Sequence, residues 1–103
     1  MEYQVIWSPN AIKCLHYIGV NIVKRDSIIN ANKVVNKIKK RVGRLSTFPE
    51  VGRIVPEFKE LGLHEVFVLR KRIIYEIIDS DVNVVAIVED RMELHTLDAD
   101  LIW

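Results

Sequence analysis

Apolar positions in this chain repeat with two periods, a helical one in the first half and a strand one in the second. Ala11, Leu15, Ile18 and Ile22 recur at spacings of four, three and four residues, with Ile12 beside them. This predicts one apolar stripe on a helix. Ser8 then Pro9 marks its start, because a serine hydroxyl caps orphan amides and proline suits the first helical position. Gly19 weakens the helix and leaves its end open. Ile28, Ala31, Val35, Ile38, Val42 and Leu45 predict the buried face of a second helix, capped by Asp26 or Ser27. Lys33, Lys37, Lys40, Arg41 and Arg44 occupy its other face. So short a link predicts an antiparallel helical hairpin.

Three strand-type segments follow from His64: HEVFVLR, KRIIYEIID and, after a short polar turn, VNVVAIVEDR. All are rich in Val, Ile, Phe and Tyr. Val66, Val68 and Arg70 fall on one side of the first, Phe67 and Leu69 on the other. Ile73, Tyr75 and Ile77 alternate with Ile74, Glu76 and Ile78. The link between the first two strands has no Gly or Asn to name its turn type. Val82 to Val88 is almost wholly apolar, which predicts a central strand covered on both faces. Another short strand, Tyr3–Trp7, opens the chain.

Between helices and strands, Ser46–Pro56 reads as a loop punctuated by Pro49, Gly52 and Pro56, with Phe48, Val51 and Val55 pinning it to the core. Glu57–Gly62 reads as a turn or short helical piece. From Met92 the tail carries Leu97, Leu101, Ile102 and Trp103, enough apolar surface to dock on the body or on a partner. The expected fold is a single α+β domain over residues 1–103. Its N-terminal strand is followed by a two-helix antiparallel hairpin packed on one face of a mainly antiparallel sheet of about four strands.

Composition narrows the chemistry. Half the residues are apolar, so a core can form without staples. The single cysteine, Cys14, excludes an internal disulfide. Three scattered histidines and one cysteine lack metal-ligand spacing, so no metal or other cofactor is expected. No run reaches the roughly 18 apolar residues of a membrane span, and no signal peptide opens the chain. The reading is a cytoplasmic protein with no membrane partner and no small-molecule ligand. The net charge of +1 hides an asymmetry: Lys37–Arg53 holds six basic residues and one acid, whereas Asp79–Asp100 holds seven acids and one arginine. The basic block, Lys37, Lys40, Arg41 and Arg44 with Arg53, suits an anionic partner, nucleic acid or acidic peptide, or else forms a solvated helix face.

The run FPEVGR with GRIVPEF (Gly52–Phe58), followed by RIIY (Arg72–Tyr75), resembles the ParE/RelE superfamily of toxins from type II toxin–antitoxin modules. The similarity covers nearly the whole chain, from the opening strand and Ser-Pro helix start onward. It implies a small toxin neutralised by a cognate antitoxin, with DNA gyrase or the ribosome and its mRNA as the cellular target. The ParE-like branch is favoured. Its alternatives are a RelE-like ribosome-dependent endoribonuclease, or a degenerate member that only binds an antitoxin. His64–Glu65 stands where the ParE branch often has Arg-Glu. Lys71–Arg72 replaces a Tyr-Arg pair, and Glu89–Asp90–Arg91–Met92 replaces His-x-Arg-Arg. No tyrosine follows Tyr75, although the RelE branch implies one near the C-terminus; these departures weigh against nuclease activity.

RNA cleavage needs a base, an acid and groups that stabilise phosphate charge. His64 and His95 are the candidates for proton exchange. Arg53, Arg70, Arg72 and Arg91 are candidate phosphate donors. The structural alternative leaves both histidines on the surface, and pairs Arg72 and Arg91 with Glu76, Glu89 or Asp90. Tyr75 reads as a core residue and Gly52 as backbone punctuation.

Overall fold

The Ser8 hydroxyl accepts from the Ala11 amide at 3.0 Å and starts α1, Pro9–Arg25, with Pro9 in the first turn. Ser27, rather than Asp26, caps α2, Ile28–Gly43, by accepting from the Asn30 amide at 3.0 Å. Asp26 closes α1 and accepts from Asn30 Nδ2 at 2.7 Å, so the joint is tied from both sides. The helix runs straight through Gly19. A Cβ there would lie 3.4 Å from Val35 Cγ2, so this glycine marks a close approach of the two helices.

The computed structural model describes residues 2–89. The expectations for Arg91, His95 and the apolar tail at Leu97, Leu101, Ile102 and Trp103 lie outside them. Among the described residues five strands form one sheet: β1 (Gln4–Trp7), β2 (Arg53–Ile54), β3 (His64–Val68), β4 (Lys71–Ile78) and β5 (Asp81–Glu89), in the order β1-β5-β4-β3-β2. Only β1 runs parallel to its neighbour, β5. The mixed α+β fold is therefore as predicted, with the two-residue β2 added at the edge.

The sheet is covered on both faces. Ala11, Ile38, Val42 and Leu45 from the helical side pack on Val66, Ile73, Tyr75, Val82, Val84 and Ile87. Ile77 is only partly buried against this core. On the other face Ile74, Val85 and Ala86 pack with Val55 and Leu63, beside Phe58 of a 3-10 segment at Pro56–Leu61.

The change of parity in β5 comes from a bulge. Ile74 pairs with Ala86 but Tyr75 pairs with Val84, so Val85 is an extra residue. Its carbonyl accepts from Ser8 Oγ at 3.0 Å and from Asn10 Nδ2 at 3.1 Å. The same hydroxyl thus caps α1 and fastens it to the bulge.

Some apolar positions do not lie where periodicity put them. Ile28 and Ile12 are exposed and line an open groove of about 590 Å³ along the hairpin. Phe48 and Val51 are also exposed; buried Pro49 pins that loop in their place, while Val55 is buried as expected. The link between β3 and β4 is a two-residue turn, Leu69–Arg70, with φ of 48° and 64°. Two left-handed residues give the twist of a type I′ hairpin, usually provided by Asn-Gly. Neither residue here suits that conformation, so the turn stores strain.

Candidate functional site

Strand alternation decides which candidates can meet. Tyr75 lies in the helix-side core, so Arg72 and Ile74, an odd number of residues away, face the opposite side. Glu65 and Phe67 share that opposite side, whereas His64 pairs with Tyr75 and shares the helix side. His64 and Arg72 are therefore not brought together.

His64 belongs to a latch built on the loop before β2. Its ring stacks on Tyr75, with centroids 5.5 Å apart, and its Nδ1 lies 3.4 Å from the Gly52 carbonyl oxygen. The Tyr75 hydroxyl donates to Pro49 O at 2.6 Å and accepts from Gly52 N–H at 3.0 Å. A Cβ at Gly52 would sit 2.4 Å from that hydroxyl and 2.6 Å from Glu65 O. Gly52 is punctuation because nothing larger fits. Burial pushes the Tyr75 hydroxyl up, against the pull of the Gly52 amide and the charge of Arg41.

On the other face lies a chain of charges. Arg72 donates from Nη1 to Glu57 Oε2 at 2.8 Å and from Nη2 to Glu57 Oε1 at 2.9 Å. Its Nε donates to Glu65 Oε1 at 2.8 Å, and Nη2 also contacts that oxygen. The second Glu65 oxygen accepts from Arg53 Nε at 2.5 Å. Glu57 and Glu65 thus hold Arg72, two carboxylates beyond those the sequence reading offered; of those, Asp90 lies outside the described residues. The hydrogen bonds to Glu57, and then those to Glu65, raise the Arg72 pKa further, against the effect of burial. Burial also pushes the Glu76 carboxyl up. The bidentate pair staples the 3-10 segment to the sheet.

The remaining basic candidates lie on the hairpin side. Lys37 and Lys40, with Arg25 and Lys33, surround an open groove of about 710 Å³ that contains Ile22, Val34 and Leu69. Arg70 adjoins Leu69 in the strained turn and is exposed. Arg44 is exposed at the end of α2, and Arg41 is half-buried. The six partner-binding candidates thus divide. Arg53 stands with Glu65, while the others belong to α2, to the 3-10 turn that follows it at Arg44–Ser46, and to the β3–β4 turn. What the sequence reading missed is Glu65 and Glu57, the carboxylates that set the arginines. Among the described residues, no group of three or more His, Cys, Asp or Glu could hold a metal ion, and no helix is long and apolar enough to cross a membrane.

A five-stranded sheet with a helical hairpin on one face and this arginine–carboxylate cluster on the other defines a small α+β protein. The model of the ParE toxin of the type II toxin–antitoxin system parDE matches residues 5–94, and the chain belongs to this family. No curated protein matches the sequence. Solved structures share the fold at low identity. The chromosomal ParDE system of P. aeruginosa contains a chain with TM-score 0.74 and 18% identity, over 85% of this chain and 96% of that one. The toxin–antitoxin complex RelBE2 of Mycobacterium tuberculosis gives 0.64 at 21% identity, over 86% and 99%. A mutant of the E. coli toxin RelE in the free state gives 0.65 at 16%, over the full length of both chains. The protein is thus a member of the ParE toxin family of type II toxin–antitoxin systems, and it shares its fold with RelE-type structures.

Proposed function

We propose that this toxin arrests growth by binding DNA gyrase, and that a cognate antitoxin neutralises it. The observation that carries this reading is the state of Arg72, the arginine of the RIIY run. Its guanidinium is engaged by Glu57 and Glu65 rather than presented to a phosphate. His64, the one candidate proton carrier among the described residues, faces the other side of the sheet. Among the described residues a base, an acid and an arginine are not assembled there, which favours inhibition by binding over cleavage.

The groove around Lys37 and Lys40 supports the antitoxin half of the reading. Four cations against one carboxylate, Asp26, around an apolar floor suit an acidic amphipathic segment that folds as it binds. The same cations favour one second reading, a ribosome-dependent endoribonuclease that engages RNA through α2. Induction in cells separates the two. A DNA-damage response with intact transcripts is expected; cleaved mRNA without that response would sink the gyrase reading. Purified toxin is further expected to inhibit DNA supercoiling by gyrase.

A further inference from the structure

Arg53 differs in kind from the cations of α2. It stands opposite Glu65 in the β2–β3 pair. Its Nε donates to Glu65 Oε2 at 2.5 Å, and its guanidinium carbon lies 5.3 Å from the centre of the Phe67 ring. Glu65 cannot yield, since its side chain is 0% exposed and its other oxygen is held by Arg72. Arg53 is thus fixed along one edge by a carboxylate and over one face by a ring, yet its side chain remains 63% exposed. Its two Nη groups have no protein partner among the described residues. Those groups form a planar fork that matches a carboxylate or a phosphate. A flexible arginine loses rotamer freedom when it binds; this one has lost it already. Fixed arginines beside aromatic rings are the residue types that dominate protein interfaces.

The local charge decides which anion. Arg53 and Arg72 are balanced by Glu57 and Glu65, so one exposed fork sits on a net-neutral cluster. A nucleic acid gains affinity from a run of cations that displace counterions, and the described residues of this surface offer no such run. A single carboxylate on a protein surface fits it. We propose that Arg53 is the anchor through which the toxin grips a carboxylate of its protein target, and that Glu65 and Phe67 are positioning residues for it. This rests on the reading above that the target is a protein.

The test compares wild type with Arg53→Lys, Arg53→Ala and Phe67→Leu at matched soluble levels. Three properties are measured: thermal unfolding, co-purification with the cognate antitoxin, and growth arrest on induction. Inhibition of supercoiling by purified gyrase is measured alongside. Arg53→Lys keeps the charge and loses the fork. It should weaken gyrase inhibition about tenfold, and Arg53→Ala about thirtyfold, the range of a truncated charged anchor. Growth arrest should fall in the same order while antitoxin capture holds; Arg53→Lys and Phe67→Leu should keep the unfolding temperature, whereas Arg53→Ala, which takes a donor from buried Glu65, should lower it. Phe67→Leu should fall between wild type and Arg53→Lys. If Arg53→Ala does not fold, the other two variants decide. Full growth arrest by Arg53→Lys and Phe67→Leu would overturn the anchor. A wild type that arrests growth without inhibiting gyrase would overturn the gyrase reading instead, and the anchor is then judged on growth arrest alone. Benzoylphenylalanine in place of Phe67 identifies the ligand class in a mixture of gyrase and plasmid. An adduct on the gyrase polypeptide is expected, and one on DNA alone overturns the carboxylate assignment.

Discussion

The Tyr75 hydroxyl donates to the carbonyl oxygen of Pro49, 2.6 Å away, and so ties the loop before β2 to the centre of the sheet. The bond spans 26 residues and both partners are buried. Tyr75→Phe keeps the ring and its stack on His64 but leaves Pro49 O and Gly52 N–H unsatisfied. It should cost about 1–3 kcal/mol of stability, measured by denaturant unfolding. Gly52→Ala should cost at least as much, since one of its two clashes is with backbone. A Gly52→Ala protein as stable as wild type would contradict the latch.

The same hydroxyl makes stability depend on alkaline pH. Burial raises its pKa above the ordinary value of 10.0, so the fold favours the neutral phenol. The stabilisation is complete below about pH 10 and is lost as pH rises through the higher folded value. Tyrosinate absorbance should show one tyrosine ionising late, together with loss of fold. In Tyr75→Phe that late step should vanish.

Arg72 and its two carboxylates should behave as a unit. Arg72→Ala leaves Glu57 and Glu65 facing one another, with Glu65 fully buried, and should cost about 3–5 kcal/mol. Replacing all three, with Glu57→Gln, Glu65→Gln and Arg72→Met, should recover much of that loss because no buried charge remains unpaired. Chemical unfolding of the single, double and triple variants gives the coupling directly.

Charge reversal on α2 should act on encounter with the antitoxin. Lys37→Glu with Lys40→Glu should slow association several-fold at low salt and much less at high salt, with little change in unfolding. Association rates that ignore both the reversals and the salt would remove this groove from the interface.

The helices were legible because their signals are local. Ser8, Pro9 and Ser27 act within three residues, and the stripe through Ala31, Ile38, Val42 and Leu45 has the period of the helix it forms. The strands were legible for the same reason, in period two. The bulge was not, because Val84, Val85 and Ala86 are all apolar and a shift of parity among them leaves no trace in a polar–apolar pattern. The Leu69–Arg70 turn carries none of the residues that announce a left-handed pair. The strand β2 is two residues long, shorter than any period. In the candidate site, the arginines were legible by type, but their geometry depends on Glu57 and Glu65. A glutamate within a strand pattern reads as solvent-facing, and its burial here is decided by partners 7 and 12 residues away in sequence.

The parallel pairing of β1 with β5 has a consequence for how the toxin comes into being. The first strand of the chain has no place in the sheet until the last described one exists, and Ser8 meets the Val85 carbonyl across 77 residues. During synthesis, β1 and the helical hairpin therefore emerge with their apolar faces uncovered and wait until Asp81–Glu89 has been translated. A chain cut short before Asp81 lacks the strand that joins β1 to the rest of the sheet. Closure over so long a separation is also slow compared with forming the hairpin itself.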